Sequence, residues 1–405
     1  MSKILGIVVF FLASTTLFAQ EMVTATIGRG EYKLTLTEEL RFGSVEEEDH
    51  YLWPSLQTQI LPAPNGGMYI IDHDGSQILL FDEQGQFVKC AARKGEGPGE
   101  LQYMNAVSRT ATGMIYVMDT PSPGNGIKIK RFNADMTFRD EISTTGMKLR
   151  PDALFVSHDE KYMGGLFVSF DPETRGLSVK NGVLRLADRA VVNLFNEDKA
   201  PLGTSRIKDQ NQWVDILAEG YKQKRRAGLT AMGPDGTIYS GNVNQYVISQ
   251  WKPENPKPSR VVTVNYKPKP FTEQDVADYI DFQYLNMDEN SKRTISRATM
   301  VKGLEKAGLP THPPLLGIIP LEDKGFLAVR KAHLTTRKNE ADVFSKEGKF
   351  LCKLEMPDAA MCTQLSHSWT PLTRMVFHQG KAYAMITDEN DSIIAVRYHY
   401  SLQKL

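Results

Sequence analysis

The chain has 405 residues, of which 41% are hydrophobic and 24% are charged, values that are ordinary for a folded globular protein. Its 48 Lys and Arg residues are balanced by 48 Asp and Glu residues, so the formal net charge at pH 7 is zero. Proteins that bind nucleic acids or anionic lipid usually carry a basic excess. The composition therefore argues against both classes of partner.

The first 19 residues have the pattern of a secretory signal peptide. Lys3 supplies a positive charge, Ile4–Leu12 forms the apolar core, and small residues up to Ala19 offer a cleavage site. We expect cleavage after Ala19, no membrane span afterwards, and a periplasmic or secreted protein without a lipid-modified cysteine. An uncleaved membrane anchor is the alternative, although the apolar run is short for a membrane span.

A unit of short apolar runs begins near Asn65 and ends near Leu101. Its three runs are rich in β-branched and aromatic residues, and the turns between them contain Asp74-Gly75 and Gly85. This alternation is the usual signal for β-hairpins. The unit therefore predicts consecutive antiparallel strands.

The same unit recurs along the chain with a period of roughly 50 residues, which four short strands and their turns would fill. Its most regular part is a polar turn flanked by apolar residues. The flanking pairs are Phe81/Phe87, Phe132/Phe138, Leu186/Val192 and Phe344/Phe350, with weaker copies of the unit around Tyr246–Trp251 and Ser392–Tyr398. Six such units predict an all-β fold, a six-bladed β-propeller of four-stranded antiparallel blades spanning residues 20–405.

The two ends of the chain predict how the ring closes. The sixth unit reaches the C-terminus before a fourth strand could form, whereas Tyr32–Leu36 alternates apolar and polar residues in the manner of a strand. We expect this N-terminal strand to complete the last blade, which removes an exposed sheet edge.

Two longer segments separate the later units. Residues 271–308 are predicted to form a small helical insertion before the fifth blade, with Thr272 and Ser296 as N-caps and Gly308 as the terminator. The other segment, Asn196–Gly233, contains the basic run Lys222–Arg226, which we expect to lie on a solvated loop or strand face.

Familiar catalytic motifs are absent from the sequence. It contains no G-x-S-x-G, H-E-x-x-H or G-x-x-x-x-G-K pattern, and its eight histidines show no i, i+4 pair. Gly95–Gly99 is best interpreted as a connector between blades that needs unusual φ angles. Cys352 and Cys362 are close enough in sequence to pair, and two unpaired thiols are an equal alternative.

Polar residues at the ends of the predicted second strands offer one candidate ligand site. In a propeller these ends form a ring on one face, so their side chains could converge at the mouth of the central channel. An Asp at a strand end can instead cap the following turn, and that alternative is open for each of them. The candidate ligand-binding residues at these ends are Asp72, Asp119, Asn242, Arg330 and Asp388. His73, Asn244 and His333 lie one to three residues further on, and Lys94, in the exit from the first blade, should reach the same face.

The first unit resembles the NHL-type repeat over Tyr69–Asp72, Gln77–Asp82 and Gly95–Glu100. Across roughly Arg41–Tyr400 the chain is similar to the secreted six-bladed β-propellers of Gram-negative gut-type bacteria, whose fold is TolB-like. The resemblance implies this fold and export. It implies no single activity, because propellers of this architecture include lactonases, amidating lyases and binding scaffolds.

Three functional hypotheses follow. The first is a non-catalytic binding or scaffold protein that needs no cofactor and holds a small polar ligand or a protein partner at one channel mouth. The second is a metal-dependent lactonase, esterase-type hydrolase or lyase with a divalent cation at that mouth. The gluconolactonase type uses a Glu, two Asn and an Asp as ligands, of which only Asn242 and the Asp residues have candidates here. The third hypothesis makes the helical insertion a docking surface.

Overall fold

A computed structural model provides the structure of the protein. It describes residues 20–42, 58–73, 75–110, 112–120, 127–144, 150–151, 155–157, 159–171, 176–201, 210–224, 228–242, 245–285, 287, 289–308, 311–312, 314–330, 339–357, 361–362, 372–373, 375–387 and 393–405. The predicted signal peptide lies outside these residues.

The described residues form six antiparallel blades arranged in a ring, so the chain is a six-bladed β-propeller as the sequence predicts. Two strands precede the first blade, namely β1 (Glu21–Ala25) and β2 (Tyr32–Phe42). Blade 1 contains β3 (Gln59–Pro62), β4 (Met68–Asp72), β5 (Gln77–Phe81) and β6 (Phe87–Ala92). Blade 2 contains β7 (Met104–Arg109), β8 (Ile115–Asp119), β9 (Lys128–Phe132) and β10 (Phe138–Ser143).

The later blades follow the same order from the innermost to the outermost strand. Blade 3 contains β11 (Arg150–Pro151), β12 (Phe155–Val156), β13 (Tyr162–Asp171), β14 (Gly176–Arg185) and β15 (Val191–Pro201). Blade 4 contains β16 (Gly228–Met232), β17 (Ile238–Asn242), β18 (Gln245–Trp251) and β19 (Arg260–Val264). Blade 5 contains β20 (Gly317–Leu321), β21 (Gly325–Arg330), β22 (Glu340–Ser345) and β23 (Phe350–Glu355).

Blade 6 is closed by the N-terminal strand. After the small hairpin of β24 (Met361–Cys362) and β25 (Leu372–Thr373), the chain supplies β26 (Met375–His378), β27 (Lys381–Thr387) and β28 (Ile393–Lys404). Strand β2 then pairs antiparallel with β28 from Tyr32–Lys404 to Phe42–Ala395. The predicted closure is therefore confirmed, and it satisfies the outer edge of β28 along almost its whole length.

Strand β1 is an addition that the sequence did not indicate. It pairs in parallel with β19, the outer strand of blade 4, which thereby gains a fifth strand. Between β1 and β2 the chain runs close to the outer strand of blade 5, where a Cβ on Gly30 would lie only 2.3 Å from the carbonyl oxygen of Leu351. Residues 21–42 therefore form a strap around the outside of blades 4, 5 and 6.

Repeated aromatic contacts explain why the unit is so regular in sequence. In blades 1, 2 and 5 the two Phe residues that flank the last hairpin face each other across the strands, with ring centroids 5.8, 5.8 and 6.0 Å apart in edge-to-face geometry. A buried Tyr in the second strand then reaches the neighbouring blade. Tyr69 donates to the Ala134 carbonyl, and Tyr116 donates to Glu160.

Blade 3 is taller than blades 1 and 2. Strands β13 and β14 have 10 residues each and β15 has 11, whereas β4 and β8 have five. The hairpin of β13 and β14 starts in the register of blade 1, because Tyr162 pairs with Arg185 as Met68 pairs with Phe81. The additional residues therefore extend beyond the end of the disc at which Asp72 lies.

The helices come from two insertions. We expected a solvated loop or strand face for the basic run, and this was wrong for its first three residues, because Lys222–Lys224 end the helix α1 (Gln210–Lys224). The second insertion contains α2 (Glu273–Leu285), the unpredicted short α3 (Glu289–Thr294) and α4 (Arg297–Lys306). Thr272, Ser296 and Gly308 have the predicted capping roles.

Helices α1, α2 and α4 share a small apolar core, and packing into this core stabilises α1. Tyr221 of α1 packs with Ile280, Met300 and Leu304 of the second insertion. The close approach of α1 and α4 leaves no room for a side chain at Gly303, whose added Cβ would lie 2.7 Å from the Leu217 side chain. The two insertions therefore form one helical unit. No helix in the described part of the chain has the length and apolar character that a membrane crossing requires.

Candidate functional site

The long connections and the helical insertions of the molecule lie on one face of the disc. In each blade the second strand ends on this face, and the connection from the fourth strand to the next blade also lies there. Asp72 and Asp119 mark the face, and we call it the upper face. The extension of blade 3 and both helical insertions join the propeller there, whereas the opposite, lower face carries short hairpins.

Asp72 caps the turn that follows its own strand. One carboxylate oxygen accepts from the Gly75 amide at 2.9 Å and the other from the Gln77 side chain at 2.9 Å. The neighbouring His73 is buried, and its Nδ1 lies 3.1 Å from the Met104 carbonyl oxygen in the first strand of blade 2. Asp72 therefore stabilises a turn within blade 1, and His73 links blade 1 to blade 2.

Asp119 forms a buried ion pair with Lys130. The two charged groups are 2.8 Å apart, and the residues are 0% and 6% exposed. The other Asp119 oxygen accepts from the backbone amides of Gln102 and Tyr103, while Lys130 also donates to the Glu100 carbonyl. The pair thereby fixes the connector, residues 93–103, which leads from blade 1 into blade 2.

Blade 5 contains the same ion pair with the charges exchanged. Arg330 ends its second strand as Asp119 does in blade 2, and its Nε lies 2.6 Å from Asp342, which corresponds in strand register to Lys130. Tyr246 of blade 4 donates to the same carboxylate at 2.5 Å. Burial is the largest influence on Asp342 and raises the pKa of its carboxyl in spite of the Arg330 charge.

The connector itself presents exposed groups on the upper face. Lys94 is exposed and has no ion-pair partner among the described residues, and Tyr103 is 60% exposed. Of the glycines from Gly95 to Gly99, only Gly99 has a positive φ, of 80°, so the prediction of unusual φ angles holds at this one position. At Gly95 the constraint is a close approach to the Glu100 side chain.

The remaining candidate residues cannot be placed as side chains. Asn244, His333 and Asp388 lie outside the described residues, and Asn242 is described only as the last residue of β17. Within the described ranges no three His, Cys, Asp or Glu residues come together as a possible metal site. The metal-binding alternative of the gluconolactonase type stays a prediction, because Asn242 and Asp388 have no described side chains. Cys352 is a buried free thiol, so the alternative of unpaired cysteines fits the structure here.

Sequence reasoning missed the residues that bind the candidates. Lys130, Asp342 and Tyr246 lie in third strands, where a polar residue among apolar neighbours signals a buried partner. Tyr103 stands alone after a glycine-rich stretch, and no periodic pattern indicates that it is exposed. The ring of strand ends therefore has structural roles at its described positions, and its part in ligand binding stays a prediction.

Comparison with known proteins agrees with this architecture. A family model described as a 6-bladed beta-propeller matches residues 57–150, which are blades 1 and 2 with the segment before them. The first two blades thus resemble that family in sequence. No curated protein matches the chain.

Solved structures also match the chain, at low sequence identity. A protein from Bacteroides fragilis NCTC 9343, named "Putative exported protein", matches with 10% identity and a TM-score of 0.50, covering 95% of this chain and 100% of that chain. A protein from Bacteroides vulgatus ATCC 8482 matches with 10% identity and a TM-score of 0.45, covering 92% and 99%. A streptogramin B lyase matches with 10% identity and a TM-score of 0.40, covering 91% and 98%.

Proposed function

We propose that the protein is an exported, non-catalytic binding propeller that holds a small polar ligand on the upper face, where blade 1 joins blade 2. Export is supported by the signal-like segment at residues 1–19 and agrees with the name of the protein from B. fragilis. The absence of catalytic sequence motifs supports binding rather than chemistry.

The observation that carries the proposal is a contrast between buried and exposed polar groups at this junction. Asp72 and Asp119 are committed to turn amides and to Lys130, so they are poorly placed to serve as acids, bases or ligands. Lys94 and Tyr103 project from the connector that these buried groups hold rigid. A cation and an aromatic ring on a rigid support can bind a polar molecule by charge and by stacking.

The test uses the mature chain, residues 20–405, and a library of small carbohydrates and organic acids, with thermal stability as the readout. A true ligand should stabilise the wild type and lose most of this effect in the double variant Lys94→Ala/Tyr103→Ala. The matched control is Lys33→Ala/Val88→Ala, which removes one exposed lysine and one exposed apolar side chain from outer strands. The control should respond as the wild type does.

Three results would contradict the proposal. Equal stabilisation of the double variant would move the site elsewhere, and conversion of a bound ligand into a product would show an enzyme. A ligand effect that requires added calcium, zinc or manganese would favour the metal-dependent hydrolase instead. Simultaneous substitution of Asp72, His73 and Arg330 is unsuitable as a test, because their buried contacts support the fold.

A further inference from the structure

The lower face contains a partly buried cation, Arg109, whereas the cation of the site proposed above, Lys94, is exposed. Arg109 ends β7, the innermost strand of blade 2, at the hairpin that leads to Ile115. Innermost strands surround the central channel of a propeller, so Arg109 lies at the lower rim of this channel. Lys94 and Asp119 belong to the opposite face, and the site proposed above does not include Arg109.

Arg109 is partly buried and has no carboxylate partner among the residues that the structure describes. Its Nε is buried without a hydrogen-bond acceptor. The ionisable groups that act on it are the phenols of Tyr69 and Tyr383, and burial lowers the pKa of the guanidinium. Other shielded cations of the described chain are compensated, since Lys130 lies 2.8 Å from Asp119 and Arg330 lies 2.6 Å from Asp342. Removing a cation from water without a counter-charge is costly, which makes Arg109 an exception that calls for an anion.

The two tyrosines cannot supply that negative charge. The Tyr69 hydroxyl donates to the Ala134 carbonyl at 2.7 Å, and the Tyr383 hydroxyl donates to the Gly66 carbonyl at 3.4 Å. Burial raises the pKa of both phenols, so both stay neutral at physiological pH. Tyr69 and Tyr383 are only 1% and 2% exposed, so two buried neutral phenols are the ionisable groups nearest to the guanidinium.

We propose that Arg109 binds the carboxylate group of a small monoanionic ligand at the lower mouth of the channel. A guanidinium presents two parallel N–H groups that match the two oxygens of a carboxylate. One fixed cation balances one negative charge, whereas a phosphate dianion would need further donors. The low local dielectric beside these buried tyrosines strengthens the interaction. Since Arg109 is partly exposed while its Nε is buried, we place the ligand at the two terminal nitrogens.

The experiment titrates the mature chain with sodium acetate at constant ionic strength and follows binding by calorimetry and thermal stability. Acetate should bind saturably to the wild type, and Arg109→Met should weaken this binding at least ~10-fold, as expected for loss of hydrogen bonds to a charged group. Arg29→Met is the matched control, because Arg29 is an exposed arginine on the outer strap. It should bind acetate like the wild type.

Additional measurements test whether the site prefers a carboxylate to other anions, and whether Arg109 acts in binding or only supports the fold. Inorganic phosphate should bind more weakly than acetate, and equal or tighter binding would overturn the assignment of a carboxylate. A response that is non-saturable, or equal in all three proteins, would overturn the site. Arg109→Met should be at least as stable as the wild type without ligand, since it removes an unpaired charge. If it fails to fold, Arg109→Lys decides: it should fold and bind acetate ~10-fold more weakly, and undiminished binding would contradict bidentate recognition.

Discussion

Two buried tyrosines show how the partner of a hydroxyl decides its effect on stability. Tyr246 donates to Asp342 at 2.5 Å, whereas the buried hydroxyl of Tyr221 in the helical unit has no hydrogen-bond partner within the described ranges. A buried hydroxyl that lacks a partner loses its hydrogen bonds to water, and no hydrogen bond within the protein replaces them. The two residues therefore make opposite contributions although both are 5% exposed or less.

We expect Tyr221→Phe to stabilise the protein by about 1 kcal/mol, because it removes an unsatisfied polar group and keeps the ring. Tyr246→Phe is the matched comparison and should destabilise it by about 2 kcal/mol, because Asp342 loses a donor that is bonded to a charged group. The midpoint of urea denaturation measures both changes. A destabilised Tyr221→Phe variant would mean that its hydroxyl has a partner.

At the scale of elements, the two strands of the strap, residues 21–42, have different structural roles. Strand β2 is the fourth strand of blade 6, which without it would expose β28 along its outer edge. Strand β1 adds only a fifth strand to blade 4, whose four other strands come from a single stretch of chain. Ring closure therefore depends on β2 far more than on β1.

Two truncations of the protein that comprises residues 20–405 test this difference. A protein that starts at residue 29 lacks β1 and should stay folded and monomeric, with a modest loss of thermal stability. A protein that starts at residue 43 also lacks β2 and should aggregate or unfold, because blade 6 is left with an open edge. Size-exclusion chromatography and thermal unfolding provide the measurements. Similar behaviour of the two truncated proteins would contradict the assigned roles.

The helical unit also belongs to this scale. Because α1 packs against α4, deleting only 272–308 would uncover the apolar side of α1, including Leu217 and Tyr221. A test of the helical unit as a docking surface must therefore remove both insertions together. The sequence predicted the helical insertion at 271–308, but it did not indicate that α1 packs against this insertion.

For the whole molecule, the many buried tyrosines predict a loss of stability at alkaline pH. Burial raises the pKa of Tyr221 and Tyr398 to about 12, and it raises that of Tyr239 and Tyr400 still further. An unfolded tyrosine has a pKa of about 10, so between these values the unfolded state releases protons and the folded state does not. The stabilising contribution is complete below about pH 10 and is lost as the pH rises towards 12.

We therefore expect the free energy of unfolding to fall above about pH 10, by up to ~1.4 kcal/mol per pH unit for each such tyrosine. Denaturation midpoints measured at about pH 9 and pH 11 test the slope, and tyrosinate absorbance should rise together with unfolding. The Tyr221→Phe variant should show a smaller slope than the wild type. A midpoint that does not change with pH would contradict the burial of these hydroxyl groups.

The sequence by itself determined the fold, because the repeated contacts of a blade are local. A pair such as Phe81 and Phe87 packs together across one hairpin. Because each unit must bury residues at the same positions, these residues recur in the sequence. It also determined the N-terminal closure, since Tyr32–Leu36 has the alternation of a strand and blade 6 lacks one.

Only the tertiary structure decided which polar residues are committed to the interior, because their partners come from distant positions. Asp119 meets Lys130, Tyr246 of blade 4 meets Asp342 of blade 5, and Arg109 meets no carboxylate among the described residues. A linear pattern shows that such residues are polar but not what faces them. The fold therefore follows from periodic, short-range packing, whereas the candidate sites follow from charges that the ring brings together.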